Sequence, residues 1–334
     1  MKINYLLLLL FALSLVLNSC SDDDNDEELM GNWWEKSGLD GIARSDAVGF
    51  VIDSKFYIGT GYSGDDRLND FWVYDPENDY WAQLPDFPGA PRNGAVGMTI
   101  NGKGYIGTGF DGEDALKDFY EYDPSTKTWT QIEDFPGDAR YGAAAFAIDD
   151  KGYVGTGCDD LFYKDFYAYS PSSKSWQSII SMGGDKRRDA SAFVLDGIGY
   201  IISGYNNASY ENDVWAFDPS TGYWTEKRHI SNYSDDKYDN DYTSIQRMDG
   251  SSFTINGKGY IACGSTGSLV SNVWEYDPQM DLWKERTSFE GAARTEAVGF
   301  SIGSKGYIVT GRSSGYYLYD LWCFDPNQEQ EDND

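Results

Sequence analysis

A seven-residue pattern recurs six times along this chain and limits its fold more than any other feature. The first copy, Asp-Phe-Trp-Val-Tyr-Asp-Pro, occupies residues 70–76. The later copies begin at Asp118, Asp165, Asp213, Asn272 and Asp320. A period of about 48 residues is the length that one four-stranded propeller blade requires. The repeat therefore predicts an all-β chain that forms a six-bladed β-propeller, with four antiparallel strands in each blade.

Each repeat contains four short apolar or aromatic runs that are separated by turn residues. In the first unit these runs are residues 47–52, residues 57–61, the pattern at 70–76 and the stretch around Trp81. Such alternation of short runs and turns is typical of an antiparallel meander. We name the four predicted strands a to d, from the centre of the propeller outwards.

The two ends of the chain predict how the ring closes. Five repeats carry a tryptophan in strand d, but none follows the sixth copy of the pattern. Trp33 precedes Arg44 by the same eleven residues that separate Trp81 from Arg92. We therefore expect a strand around residues 32–35 to pair with the last blade near residues 321–324. Closure of this kind removes the free sheet edges that promote aggregation.

The spacing from tyrosine to tryptophan, together with the glycine that ends strand b, resembles Kelch repeats over residues 33–326. One difference is that Gly-Thr-Gly or a single glycine stands where Kelch repeats usually have two glycines. The phrases Tyr-Ile-Gly-Thr-Gly and Asp-Phe-Pro-Gly are similar to those of Kelch-type lipoproteins of the Bacteroidetes. The resemblance implies a six-bladed propeller that is carried by a lipoprotein.

The N-terminal residues predict a lipoprotein signal peptide over residues 1–19. Lys2 precedes an apolar run that is too short to span a bilayer and has the form of a secretory signal. Leu17-Asn18-Ser19-Cys20 resembles a bacterial lipobox, which implies cleavage before Cys20 and lipidation of that residue. The alternative is an ordinary signal peptide that contains a cysteine.

Three further segments follow the signal peptide. We expect an acidic tether over residues 20–31, the propeller over residues 32–327 and an acidic disordered tail over residues 328–334. An acidic stretch directly after the lipidated cysteine resembles the surface-export signal of Bacteroidetes lipoproteins. It implies an outer-membrane protein exposed at the cell surface. The alternative is a solvated spacer on a protein that faces the periplasm.

The net charge of −29 restricts the possible partners. A strongly acidic protein is repelled by nucleic acid and by anionic lipid, so membrane contact is expected through the lipid anchor only. A glycan or a protein remains as the expected partner, and we expect a monomer. Three cysteines other than Cys20 lie in different repeats and predict buried thiols rather than disulfides: Cys158, Cys263 and Cys323.

The residues required by familiar chemistries are scarce. His229 is the single histidine, which argues against a copper oxidase of the galactose-oxidase type and against histidine-based zinc or serine–histidine sites. Calcium could be bound by the acidic pairs Asp65-Asp66 and Asp159-Asp160 or by residues 111–114, although loop solubility explains them equally well. We expect no cofactor, no metal and no catalytic residue.

One column of arginines is not explained by core packing. These residues occupy an equivalent position just before strand a in every repeat: Arg44, Arg92, Arg140, Arg187, Arg247 and Arg294. Because strand a lines the central channel, they could form a basic ring at the channel mouth that holds carboxylates or sulfates. Equivalent arginines of other Kelch propellers bind acidic peptides there, so the resemblance implies the same use. The alternative is that each arginine pairs with the aspartate that opens strand c.

Aromatic loop residues form a second group of candidates for ligand binding. Tyr62 and Tyr205 lie in the loops after strand b. The connection from Trp224 to Arg247 is about a dozen residues longer than its counterparts and carries His229, Tyr233 and Tyr238. We define residues 226–243 as the flap and expect it beside the channel mouth. A surface insertion without function is the alternative.

Two functions follow from these observations. The first is a non-catalytic module, anchored to the membrane, that binds a glycan or protein at the channel mouth. The column of arginines predicts that this ligand is anionic. The alternative is a carbohydrate-active enzyme, such as an epimerase or mutarotase of acidic sugars. Such an enzyme needs a general base, for which Glu296 and Asp189 are candidates because each follows a ring arginine closely.

Overall fold

A computed structural model describes residues 29–331, except residues 208, 232 and 243 and the side chain of Asp239. Cys20, the signal peptide and the acidic run up to Glu28 lie outside the described residues. Lipidation and the tether therefore stay predictions. Within the described part of the chain, no helix is long and apolar enough to cross a membrane.

The strands form six four-stranded antiparallel sheets, which confirms the predicted six-bladed propeller. The chain starts with β1 (Asn32–Lys36), which belongs to the last blade. Blade 1 contains β2 (Val48–Ile52), β3 (Lys55–Gly59), β4 (Phe71–Asp75) and β5 (Tyr80–Leu84). Blade 2 contains β6 (Val96–Ile100), β7 (Lys103–Gly107), β8 (Phe119–Asp123) and β9 (Thr128–Gln131). Blade 3 contains β10 (Ala144–Ile148), β11 (Lys151–Gly155), β12 (Phe166–Ser170) and β13 (Ser175–Ile179).

The other three blades follow the same order. Blade 4 contains β14 (Ser191–Leu195), β15 (Ile198–Ile202), the small hairpin β16 (Tyr205–Asn206) and β17 (Ser209–Tyr210), then β18 (Val214–Asp218) and β19 (Tyr223–Glu226). A short helix, α1 (Lys237–Asp241), precedes blade 5, which contains β20 (Ser251–Ile255), β21 (Lys258–Ala262), β22 (Val273–Asp277) and β23 (Leu282–Arg286). Blade 6 contains β24 (Val298–Ile302), β25 (Lys305–Val309), the hairpin β26 (Arg312–Ser313) and β27 (Tyr316–Tyr317), then β28 (Leu321–Asp325) and β1.

The core lies between neighbouring blades rather than in one central cluster. In β2, alternate residues Val48, Phe50 and Ile52 are buried, as a two-residue period requires. They pack with Ile106 and Tyr122 of blade 2. Each blade is therefore stabilised by the side chains of its neighbours, so the ring has to be complete to bury its apolar surface.

The N-terminal strand closes the ring as predicted. β1 pairs with β28 in a register that sets Trp33 opposite Phe324. Trp33 is fully buried, and its ring centroid lies 4.6 Å from that of Phe324 and 4.9 Å from that of Phe289. The three free cysteines are buried, which confirms the predicted thiols.

The first residues of the C-terminal tail form hydrogen bonds with the start of the described chain. Gly31 N donates to Gln328 O over 2.9 Å, and Glu331 N donates to Asn32 Oδ1 over 2.9 Å. Residues 328–331 are therefore bonded beside the closing strand, and residues 332–334 lie outside the described part.

A hydrogen-bonded belt surrounds the channel where the chain enters each strand a. Its members stand two positions after the repeated arginines: Asp46, Gly94, Gly142, Asp189, Asp249 and Glu296. All six have a positive φ between 52° and 62°. The N–H of Asp46 donates to Glu296 O over 2.8 Å, and that of Gly94 donates to Asp46 O over 3.1 Å. Gly142, Asp189 and Asp249 continue this pattern with their preceding blades.

Candidate functional site

The six repeated arginines do not form an open basic ring, so that expectation is wrong. Their side chains are 0–1% exposed. Arg92 illustrates the common geometry. Its Nε donates to Ala90 O over 2.9 Å, its Nη1 donates to Thr108 O over 2.9 Å, and its two terminal nitrogens bond to Asp118 over 2.6 and 2.8 Å. The guanidinium ties the entry of strand a to strands b and c of its own blade.

Five blades repeat this ion pair, which confirms the alternative for them. The pairs are Arg44–Asp70, Arg92–Asp118, Arg140–Asp165, Arg187–Asp213 and Arg294–Asp320. Burial by itself would raise the pKa of Asp70, but the hydrogen bonds and charge of Arg44 outweigh it and lower that pKa. In blade 5, Asn272 stands at the position of the aspartate, and Arg247 has no such partner.

The side chains that face the channel at its mouth belong to the belt. The Asp189 carboxylate is 11% exposed and that of Glu296 is 19% exposed. Arg188 Nε lies 3.2 Å from Asp189 Oδ2, and Arg312 donates two bonds of 2.8 Å to Glu296. Two belt carboxylates therefore have an arginine partner.

The other two belt carboxylates have only neutral partners. Asp46 Oδ2 accepts a bond of 2.7 Å from Asn93 Nδ2, and Asp249 Oδ2 lies 3.5 Å from Thr295 Oγ1. The four acidic positions are consecutive around the belt, whereas Gly94 and Gly142 fill the remaining two. One side of the mouth is thus acidic and the other side has no side chain at this level.

Enclosure within the belt favours the protonated form of its three aspartates, because it raises their pKa values. Burial, reinforced by the charge of Glu296, raises the pKa of Asp46 to about 6. Burial also raises the pKa of Asp189 to about 7, against the opposing effect of Arg188. The pKa of Asp249 is raised well above its usual value, chiefly by burial and then by Asp189. Asp46 and Asp189 therefore gain and lose protons close to neutral pH.

Arg67 is the guanidinium at the mouth that lacks an ionic partner among the described residues. Its carbon Cζ lies 5.3 Å from the ring centroid of Tyr62 and 4.8 Å from that of Phe110. Its Nε donates to Asn93 Oδ1 over 2.8 Å. The amide of Asn93 therefore connects Arg67 to Asp46, and two aromatic rings hold the arginine in place.

Further aromatic residues complete the rim. Tyr62 and Tyr205, both predicted from the sequence, pair with the residues that precede the belt, Ser45 and Arg188 respectively. The ring of Tyr62 contacts that of Tyr317 edge-on at 5.7 Å. Both tyrosines thus lie at the mouth, and their role in binding stays a prediction.

A cavity of about 220 Å³ lies directly beyond the belt. It is lined by the residues that lead into the six innermost strands and by the first residues of those strands. The residues next to the belt are small: Ala47, Ala95, Ala143, Ala190, Gly250 and Ala297. Small side chains leave this part of the channel open. A ligand group that passes the belt would meet mostly backbone.

The flap does not lie where the sequence predicted. His229 bonds to Glu226 over 2.8 Å and stacks on Tyr233 at 3.7 Å. Tyr238 packs against the cluster between blades 4 and 5, and Arg228 lies over its ring at 5.2 Å. Nearby, Tyr242 Oη accepts a bond from Trp283 N in the outermost strand of blade 5. These contacts assign the flap to the outer side of blade 5, because apolar residues in the insertion find buried neighbours there.

Sequence reasoning missed Asp46 and Asp249 together with three arginines: Arg67, Arg188 and Arg312. The belt position could have been found, since it is acidic in four repeats and glycine in two. Asp189 and Glu296, named for the enzymatic alternative, are members of it. Among residues 29–331 as described, no group of three histidine, cysteine, aspartate or glutamate side chains could hold a metal ion.

Comparisons with known proteins agree with the observed architecture. Residues 32–138 match the model of the KLHDC2/KLHL20/DRC7 Kelch-repeats domain, and residues 186–228 match the Kelch motif. No curated protein matches the chain. The solved structures that match include "Structure of YjhT", with 16% identity, a TM-score of 0.71 and coverage of 86% of this chain and 96% of that one. The chain is a six-bladed β-propeller that contains Kelch repeats.

Proposed function

We propose that the protein is a non-catalytic binding module that holds an anionic ligand, an acidic glycan in particular, at the channel mouth. A Kelch propeller is in general a binding module. The main support for an anionic ligand comes from Arg67, which has no ionic partner among the described residues and is fixed beside the belt by two aromatic rings. A fixed guanidinium with free terminal nitrogens suits a bidentate bond to a carboxylate or sulfate.

The surroundings of Arg67 favour a glycan over an apolar ligand. Tyr62, Phe110 and Tyr141 supply aromatic faces on the side of the mouth where the belt has glycine. Asp46 and Asp249, which have only neutral partners, can accept bonds from hydroxyl groups. A sugar acid presents all three features: a carboxylate, a ring face and several hydroxyls.

The test is a binding screen that uses acidic glycans and their neutral counterparts, followed by calorimetry on any glycan that binds. Arg67→Gln is expected to lower the affinity about tenfold or more, because a charge-assisted bond contributes about 1.5–3 kcal/mol. Lys151→Gln makes the same change of charge on an exposed residue at the start of strand b in blade 3, at the end of the blade opposite the mouth, and should leave the affinity unchanged. Binding should weaken as salt rises. Equal affinity in wild type and Arg67→Gln would refute the proposal.

A second function, an enzyme that moves a proton on an acidic sugar, is favoured by a separate observation. The pKa values of Asp46 and Asp189 are raised to about 6 and about 7, and a general acid or base works best near the ambient pH. Glu296 is held by Arg312, which leaves the two aspartates as the proton carriers. Proton NMR of anomeric exchange would detect turnover. Asp189→Asn should abolish it, and binding without any exchange would exclude this second function.

We also propose that Cys20 attaches the protein to the outer membrane by lipid and that the propeller is exposed at the cell surface. The lipobox-like residues 17–20 and the acidic run after them support this proposal. The lipid would serve as the anchor, and the propeller itself would stay in water.

A further inference from the structure

Blade 5 breaks the pattern of ion pairs in a way that points to a second binding site. In blades 1, 4 and 6 the aspartate carboxylate accepts a third bond besides the two from arginine. This bond comes from a strand c tryptophan: Trp72 to Asp70 at 2.7 Å, Trp215 to Asp213 at 2.8 Å and Trp322 to Asp320 at 2.8 Å. One carboxylate thus neutralises the buried guanidinium and also accepts from the indole N–H.

The donors of this arrangement persist in blade 5, whereas the carboxylate does not. Arg247 is 1% exposed and Trp274 is 2% exposed, and Asn272 stands at the acid position. Arg247 donates to backbone carbonyls only. They belong to Ser244, Ile245, Cys263 and Asn272. Within the described residues, Arg247 forms no ion pair.

Three buried polar atoms beside this arginine have no hydrogen-bond partner. They are Trp274 Nε1, Ser244 Oγ and Asn272 Oδ1. Buried polar groups are nearly always bonded, so the two donors, Trp274 Nε1 and Ser244 Oγ, require an explanation near a cation that forms no ion pair. Asn272 Oδ1 is an acceptor, and its amide nitrogen donates to Glu285 over 3.4 Å. Trp274 Nε1 corresponds to the indole nitrogens that bond to the aspartate in blades 1, 4 and 6.

Ser244 is itself an exception to the repeat. Three positions before the arginine, the other blades have glycine: Gly41, Gly89, Gly137, Gly184 and Gly291. A Cβ at Gly184 would lie 2.3 Å from Asp213 Oδ2 and 2.7 Å from Trp215 Nε1. In blade 4 a serine here would therefore collide with the aspartate of strand c, whereas the other four glycines lie closest to arginine or aromatic side chains. Blade 5 differs at both positions, and Arg247 donates to the backbone oxygen of Ser244. Because a Cβ at the equivalent Gly41 would lie 2.8 Å from the indole nitrogen and 2.9 Å from the terminal arginine nitrogen, the Ser244 side chain stands at the position next to both groups.

We propose that blade 5 binds a small monovalent anion, chloride in the first instance, between Arg247, Trp274 and Ser244. The guanidinium, the indole N–H and the hydroxyl all donate, so the site selects an anion over a cation. In blade 5 the negative charge of the bound ion replaces the charge that the strand c aspartate supplies in the other five blades. The near-complete burial of Arg247 and Trp274 restricts the ligand to a single small ion.

The charge on Arg247 gives this ion its effect on stability. Burial lowers the pKa of Arg247 to about 10, against the weaker opposing effects of Cys263 and Glu285, because the guanidinium is removed from water without the ion pair that the aspartate forms in the other blades. An anion that binds only the folded protein stabilises it in proportion to the logarithm of the anion concentration above saturation. Chloride should therefore stabilise this propeller specifically, apart from any general effect of salt.

The experiment measures the melting temperature as sodium chloride replaces sodium gluconate at constant ionic strength. We expect the wild type to melt at higher temperature as chloride rises, with an increase that follows the logarithm of the chloride concentration once the site is filled. The control is the double variant Ser244→Gly/Asn272→Asp, which recreates the residues of the other blades. It should melt at a temperature independent of chloride. Both positions are changed because the counterpart of Ser244 in blade 4, Gly184, has no room for a side chain beside the aspartate.

A second measurement locates the ion. Crystals grown in bromide should give an anomalous peak within bonding distance of Arg247 and Trp274 in the wild type and none in the double variant. Trp274→Phe removes one donor and should raise the bromide concentration needed for half occupancy. Equal chloride dependence in wild type and double variant, or a bromide-soaked wild-type crystal without the peak, would overturn the proposal.

Discussion

Two arginines a short distance apart in the sequence illustrate how burial decides the role of a side chain. Arg92 is fully buried and bonded to Asp118, whereas Arg67 is partly exposed and bonded through one nitrogen to Asn93. A fully bonded guanidinium stabilises the fold, and one with free nitrogens can bind a ligand. The same residue type therefore serves both purposes at one mouth.

Arg92→Ala is expected to destabilise the protein by about 3–5 kcal/mol, because it leaves the partly buried Asp118 without its partner. Urea unfolding followed by tryptophan fluorescence measures this difference. Arg67→Ala, as the control, should cost less, about 1–2 kcal/mol, because it removes one hydrogen bond and two ring contacts but leaves no buried charge unpaired. If Arg92→Ala unfolds at the wild-type urea concentration, the ion pairs do not hold the blades.

The belt aspartates predict an unusual dependence of stability on pH. The pKa values of Asp46 and Asp189 are raised in the folded state to about 6 and about 7, above their unfolded values. The folded protein therefore binds more protons than the unfolded chain between about pH 4 and about pH 7, and its stability falls as pH rises through that range.

The measurement is the melting temperature between about pH 5 and about pH 7.5, where we expect a decrease in the wild type. Asp189→Asn should flatten this decrease and raise the melting temperature at the upper end. Arg188, Glu296, Asp46 and Asp249 face this carboxylate and would remain. A wild-type melting temperature that rises steadily over this range would contradict the prediction.

At the scale of the strand, β1 closes the ring by pairing with β28. Its two tryptophans point to opposite sides: Trp33 is buried among Phe253, Phe289 and Phe324, whereas Trp34 is partly exposed with Lys305 above its ring at 5.2 Å. Successive side chains of a strand point to opposite faces of the sheet, so Trp33 and Trp34 have different surroundings.

Trp33→Ala should cost about 3–5 kcal/mol through the cavity it leaves, and Trp34→Ala clearly less. Thermal unfolding of the two variants side by side provides the comparison. Deletion of residues 31–36 should go further and cause aggregation, because it exposes the edge of β28. A deletion variant that melts like the wild type would show that the ring does not depend on this strand.

At the scale of the whole molecule, the proposed lipid anchor determines where the mouth is presented. Cys20→Ser should release the protein from the membrane fraction and abolish labelling with palmitate. Protease treatment of intact cells should digest the wild type if it is at the surface. Digestion only after the outer membrane is opened would indicate the periplasmic side, and a wild type without label would refute lipidation.

The sequence by itself determined the blades, their strand order and their closure. Repeated spacing and turn residues act locally, and the position of Trp33 could be compared with five other copies. The sequence could not show what the repeated arginines contact, because the same six arginines could form ion pairs within the blades or bind a ligand. Only the tertiary structure decided this, because a left-handed turn two residues later directs Asp46, Asp189, Asp249 and Glu296 into the channel while the arginines turn back into their own blades.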